Sequence, residues 1–161
     1  MKDKTIIRIA TTEDLIGVSD IHKKAFIRQK NSAEWMQCIL NSFPRSLCFV
    51  MEEEKDIIGY IVWTQKSGFR DNTVLELEQI AILPPLQSKG LGKKLVKHSL
   101  SLTKIELKKS GSIIKHILVS TRSDNSAQKL YKKVLGAKIE CTITDLYSHD
   151  EVIMISRNIE I

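Results

Sequence analysis

The sequence predicts a mixed α/β fold: a mostly antiparallel sheet of about six or seven strands, with about four helices on both faces. Three observations predict it. Strand-like apolar runs and amphipathic stretches follow the order β-α-α-β-β-β-α-β-α-β-β. A strand–helix–strand unit, which needs a crossover to pair in parallel, lies among segments close enough to pair as hairpins. No repeat, low-complexity tract or linker interrupts the 161 residues, so a single domain over 1–161 is expected.

The elements follow in order. "TIIRIA" (5–10) reads as a short strand, and Thr11 and Thr12 offer helix caps with Glu13 and Asp14 in the first turn. Leu15, Val18, Ile21, His22 and Phe26 then recur at helical spacing. A second helix is expected over 32–41, from Ser32 to just before Phe43-Pro44. "SLCFVM" and "IIGYIVWTQ" are strands joined by the solvated turn "EEEKD". "TVLELEQIAIL" (73–83) is the next strand, and a helix over about 90–109 follows, with Leu91, Leu95, Leu102 and Ile105 as its apolar stripe. Gly111 is a stop signal. "HILVST" (116–121) reads as a fully buried strand, and "DNSAQKLYKKVL" (124–135) as a helix capped by Asp124 or Ser123. "AKIECTIT" and "EVIMISRNI" close the chain as a hairpin.

Composition narrows the function classes. No apolar run approaches the ~20 residues of a membrane span, and the N-terminal stretch has no cleavage-site pattern. Cys38, Cys48 and Cys141 are scattered and odd in number, which fits a reducing, cytoplasmic setting rather than a disulfide framework or zinc site. His22, His98, His116 and His149 lack metal-ligand spacing, so no metal is expected. The net charge of +6 suits an anionic ligand. A nucleic acid is not the expected one: the lysine-rich helix has no interleaved aromatics.

The informative stretch is "LPPLQSKGLGKKL" (83–95). A strand stops at Pro84 and Pro85, and a helix begins after two glycines one residue apart. A helix start offers unpaired N–H groups and the positive end of the helix dipole, a natural seat for phosphate. Gly90 and Gly92 let the backbone turn and approach a bulky anion, while Gln87, Ser88, Lys89 and Lys93 add donors and charge. The spacing excludes a P-loop, and Leu95 stands where a dinucleotide fingerprint has its third glycine. From the glycines alone, a plain strand-to-helix turn also stays open.

Gln87-Ser88-Lys89-Gly90-Leu91-Gly92 resembles Gln/Arg-x-x-Gly-x-Gly/Ala, the pyrophosphate-binding motif of the GNAT N-acetyltransferase superfamily, which uses acetyl-CoA. Ala81-Ile82-Leu83-Pro84 resembles that family's exit from its fourth strand. "DNSAQKLYKKVLGAK" resembles a second family signature, with Ala127, Leu130 and Tyr131 in place. It departs in two respects. The signature's asparagine falls on Asp124, with Asn125 one residue late, and Gly136 lies five residues after Tyr131, followed by Ala137.

The resemblance implies acetyl-CoA as co-substrate and a primary amine as acceptor, with direct attack in a ternary complex. It implies main-chain pairing of Ile80, Ala81 and Ile82 with the pantetheine arm, and contacts of Asp124, Asn125 and Ala127 with the cofactor. Tyr131 sits at the general-acid position. Acyl transfer to an amine also needs the nucleophile neutral, so a base helps. Glu76 and Glu78 are the candidates: two carboxylates in a central apolar strand, on one face by period two unless a bulge intervenes.

The acceptor is open. "DLYSHDEVIMISR", with Tyr147, resembles the loop and last strands of members that acetylate protein N-termini. Small polycations are the alternative, with Glu34, Glu76, Glu78 and Asp145 as the acidic pocket; so is a non-catalytic acyl-CoA-binding module. No membrane partner is expected, and a homodimer stays open.

Overall fold

The computed structural model describes residues 4–160, and its strands and helices follow the expected order. The strands are β1 (Thr5–Ile9), β2 (Ser46–Glu53), β3 (Asp56–Gln65), β4 (Asn72–Ile82), β5 (Ile113–Arg122), β6 (Lys138–Ile143) and β7 (Glu151–Ser156). The helices are α1 (Leu15–Ala25), α2 (Ser32–Asn41), α3 (Leu91–Lys109) and α4 (Gln128–Leu135). One mixed sheet has the order β1-β2-β3-β4-β5-β7-β6. β4 and β5 are parallel, with α3 as their crossover, whereas β1–β2, β5–β7 and β6–β7 are antiparallel. The β2–β3 hairpin turns on Glu54 and Lys55, both at positive φ (51° and 76°), as a two-residue turn with right-handed twist requires.

The chain divides into two compact units, each built from two segments: the chain up to Trp63 with Gln79–Leu102, and Thr64–Glu78 with the chain from Thr103 onward. β3, β4 and α3 each pass through both.

In the first unit, Val18 and Ile21 of α1 and Met36 and Ile39 of α2 pack on Tyr60, Val62 and Ala81. Trp63 has the opposite parity on β3, and its indole N–H donates to Ser99 Oγ of α3 at 2.9 Å, so helices cover both faces there. This bond corrects the expected stripe of α3. The buried line runs through Leu95, Val96, Ser99, Thr103 and Leu107, while Ile105 is 57% exposed. Ile105 lies about 200° around the helix from Thr103; two small hydroxyl residues take the inward positions instead, and Ser99 supplies the acceptor that a buried indole needs.

The α1 entry is held by a half-buried ion pair, with Asp14 inside and Arg8 partly exposed. Asp14 accepts two bonds from Arg8 (2.7 and 2.8 Å) and one from the Thr11 N–H (2.7 Å). The Arg8 bond, foremost, holds the Asp14 carboxyl below its usual range. His22 is fully buried between Ser32 Oγ (2.8 Å) and Gln29 Oε1 (2.9 Å), and burial lowers its pKa. Burial pushes the Cys48 thiol up to about 12, so it is inert; Cys38 and Cys141 are free and exposed.

In the second unit, β5 starts at Ile113 and is not fully buried. Ile117, Val119 and Thr121 are inside; Leu118, Ser120 and Arg122 are half-exposed. The register places Val119 opposite Met154 and Thr121 opposite Val152, so these buried residues share one face. α4 covers that face, since Ser156, two residues past Met154, donates its hydroxyl to Leu135 O. β6 is the outer strand: all six residues are exposed, and Glu140 is bulged out between Ile139 and Cys141.

Candidate active site

The turn after β4 is built tightly. Leu83 N–H donates to Ile58 O at 2.9 Å, then Pro84–Leu86 form a single 3₁₀ turn. The Gln87 side chain folds back and donates to Ile82 O at 3.0 Å, so it braces the strand end. Ser88 (φ 62°) and Gly90 (φ 81°) take left-handed conformations, and only at Gly90 does the sequence supply a residue without penalty there. Lys94 N–H donates to Gly90 O at 3.2 Å, the first helical link of α3. The amides of Leu91, Gly92 and Lys93 precede that link, as orphan donors at a helix start. Lys89 and Lys93 are exposed beside them. Lys94 is engaged elsewhere, by Thr5 of β1.

Along β4, Glu76, Glu78 and Ile80 are half-buried, whereas Leu75, Leu77, Gln79, Ala81 and Ile82 are buried. Glu76 pairs with Lys66 (2.8 Å), and Glu78 accepts the Thr64 hydroxyl. Thr64 on β3 and Lys66, one residue past its end and still paired to Val74 O, have the same parity, so the two carboxylates share a face, as expected. The next residue, Gln79, accepts from Tyr60 Oη (3.1 Å) and Trp35 Nε1 (3.3 Å). Tyr60 has the parity of Thr64, so the alternation breaks between Glu78 and Gln79. Nothing in the sequence marked Gln79. The parallel register of β4 with β5 runs from Asn72↔Ile113 to Glu76↔Leu118, with an irregularity at Thr73/Val74, and β4 continues six residues further.

α4 is shorter than expected. It starts at Gln128, not at 124, and Ala127 is its N-cap. Residues before it form a turn locked by Asn125, whose Oδ1 accepts from Ala127 N–H (2.9 Å) while its Nδ2 donates to Thr121 Oγ1 (2.9 Å). An Asx turn competes with the helix and wins. Asp124 is exposed and forked by Arg122 (3.0 and 2.7 Å), so Asn125, not Asp124, holds the structural position. Tyr131 is 5% exposed, and burial pushes its phenol up to about 12. The helix ends at Gly136 (φ 65°), where Gly136 and Ala137 N–H groups cap Lys132 O and Tyr131 O.

A family model described as the acetyltransferase (GNAT) family matches residues 15–137. The chain belongs to this family. As a GNAT acetyltransferase, it shares its fold with many solved structures. Ard1 from Thermoplasma volcanium superposes with a TM-score of 0.78 at 18% identity, over 98% of this chain and 100% of that one. The ribosomal-protein-S18-alanine N-acetyltransferase from Escherichia coli gives 0.75 at 22% identity, over 96% and 94%. yncA from Salmonella typhimurium, solved with its cofactor acetyl-CoA, gives 0.72 at 20%, over 99% and 96%. At these identities the likeness concerns the fold. No curated protein matches the chain by sequence.

The acetyltransferase's expected residues fall into two sets. Ile80–Ile82 and residues 87–93 belong to the first unit; Glu76, Glu78, Asp124, Asn125, Ala127 and Tyr131 belong to the second. Among the described residues, no group of three or more His, Cys, Asp or Glu could hold a metal, and no helix is long and apolar enough to cross a membrane.

Proposed function

We propose that this enzyme transfers the acetyl group of acetyl-CoA to a primary amine by direct attack in a ternary complex. The observation that carries the reading is the start of α3. Gly90, left-handed and with open space around it, presents three successive helix-start amides, and Lys89 and Lys93 add charge beside them. That is a seat for a pyrophosphate, and Gln87, Ser88, Leu91 and Gly92 complete it. The family resemblance assigns further cofactor contacts to Asn125 and Ala127, in the turn that leads into α4.

The reaction balances simply. The amine nitrogen bonds to the thioester carbonyl carbon, the C–S bond breaks, and the thiolate takes a proton. Backbone N–H groups of residues 80–82 meet the developing oxyanion. Tyr131 supplies the thiolate's proton: with its phenol near 12 it stays protonated at every working pH. A thiolate leaving into similarly apolar surroundings is raised as well, which narrows the mismatch in acidity. Glu78, or Glu76, takes the proton from the amine through a water. Glu76 already holds Lys66 at 2.8 Å, whereas among the described residues Glu78 accepts from a neutral hydroxyl, so Glu78 is the better placed of the two.

The acceptor is a protein or peptide amine, a reading supported by Tyr147, 73% exposed in the loop before β7. The test is thiol release from acetyl-CoA with N-terminal peptides, lysine peptides, polyamines and aminoglycosides. Release only with polyamines or aminoglycosides would reassign the acceptor. No release with any amine, with CoA bound tightly, would leave a non-catalytic acyl-CoA module.

A further inference from the structure

Glu151 opens β7 and is 6% exposed. A buried carboxylate ordinarily has a cation or several donors. Among the described residues Glu151 has one side-chain donor, the neutral Ser120 hydroxyl on β5, at 3.2 Å from Oε2. The natural partner stands directly opposite: the register pairs Arg122 with Glu151. Yet Arg122 turns away and forks onto exposed Asp124 instead (3.0 and 2.7 Å). Among the described residues, no cation lies within ion-pair distance of Glu151.

The register also fixes which way this carboxylate faces. Glu76 pairs with Leu118, Leu118 with Ile155, Ser120 with Ile153 and Arg122 with Glu151. Opposite residues share a face, and alternate residues on a strand share it too. Glu76, Glu78, Ser120 and Glu151 therefore lie on one face of the second unit's sheet. It is the half-exposed face, opposite the one that α4 covers. A buried, cation-free carboxylate thus sits on the face that carries both candidate bases.

We propose that Glu151, with Ser120, is the acceptor-recognition residue: its carboxylate receives the positive charge of a protonated amine substrate. The proposal rests on the acetyltransfer reading and deepens it, because it names a cationic alkylamine as the substrate class. Ser120 holds the carboxylate toward the ligand, and burial strengthens the ion pair. Two sources share this chemistry. A protein N-terminus offers an α-ammonium; a lysine side chain or polyamine offers an ammonium on an alkyl chain.

The test is an amide-resolved NMR titration of the full chain with alaninamide and with 1,5-diaminopentane, one probe for each source. At least one probe binds the wild type, and its Kd rises about tenfold or more in Glu151→Gln. The rise in Ser120→Ala is smaller. The CoA Kd, measured separately, is unchanged in both variants. Failure of both probes to bind the wild type overturns the proposal, and so does equal affinity in Glu151→Gln. Should Glu151→Gln not fold, an unchanged Kd in Ser120→Ala overturns it. Loss of CoA binding by the wild type would instead sink the acetyltransfer reading, and the amine result would stand apart from it.

Discussion

Gly59 lies on β3 against the end of β4, and replacing it with alanine tests how tightly residues 81–82 are held. A Cβ built there would stand 2.6 Å from Ile82 Cδ1, 2.9 Å from Ala81 O and 3.6 Å from Ile82 Cα. Ordinary contact is about 3.5–4.0 Å between carbons, so the Cδ1 contact is short by about 1 Å. Ile82 can relieve it by leaving its rotamer, at about 0.5–1.5 kcal/mol. The Ala81 carbonyl is backbone and yields only if the strands part. Overpacking of this kind costs about 1–3 kcal/mol, and alanine returns up to about 1 kcal/mol by restricting the unfolded chain. The expected net loss for Gly59→Ala is about 1–2 kcal/mol in urea denaturation. Adding Ile82→Val removes Cδ1, so the double variant should recover at least about 0.5 kcal/mol of coupling. Because the parted residues are the proposed pantetheine partners, kcat/KM for acetyl-CoA should fall about tenfold. A Gly59→Ala protein as stable as wild type, with an additive cycle and unchanged kinetics, would refute the close-contact argument.

Other outcomes follow from the same geometry. Tyr131→Phe should keep the CoA Kd and lower kcat by about 10²-fold or more; with the phenol near 12, wild-type kcat/KM should show no phenolic alkaline limb between about pH 8 and about pH 10. Unchanged turnover in the phenylalanine variant would remove the role. Glu78→Gln should depress kcat/KM at neutral pH more than Glu76→Gln, whose partner Lys66 marks it as structural; the reverse ranking in pH–rate profiles would exchange the two assignments. Asp14 has a lowered pKa when folded, so its stabilisation is complete above about pH 4, its ordinary value, and is lost as pH falls through the folded value. Asp14→Asn should therefore lose about 1–2 kcal/mol at neutral pH, discounted for the half-exposed Arg8, and show a flatter melting temperature below about pH 4.

The fold was legible because local signals and tertiary packing agree over most of the chain. The two prolines, Gly90 and the amphipathic start of α3 punctuate the turn, and Glu54-Lys55 close a hairpin between two apolar runs. Misreadings arose where a polar side chain serves a distant partner. Ser99 and Thr103 displaced Ile105 from the α3 stripe, since Trp63 lies 36 residues away in sequence. Asn125 took four residues from α4 through an Asx turn that composition alone reads as helix start. The site divides similarly. Motif spacing singles out Tyr131 and the glycine turn as expected site residues, whereas Gln79 and Glu151 carry no motif. Their significance lies in register: Gln79 follows a break in alternation, and Glu151 faces an arginine that points elsewhere.

The extra residue in β6 bears on how this protein meets copies of itself. An outer strand is normally a row of idle hydrogen-bonding groups, on which another chain can add a strand and seed a fibre. Here Glu140 splits that row into two short runs, Lys138–Ile139 and Cys141–Ile143, and its carboxylate is clasped by Arg157 at 2.8 Å. Neither run is long enough to template a stable ladder. A strand whose six residues are all solvent-exposed thereby becomes a poor nucleus for aggregation, at the cost of one residue out of step.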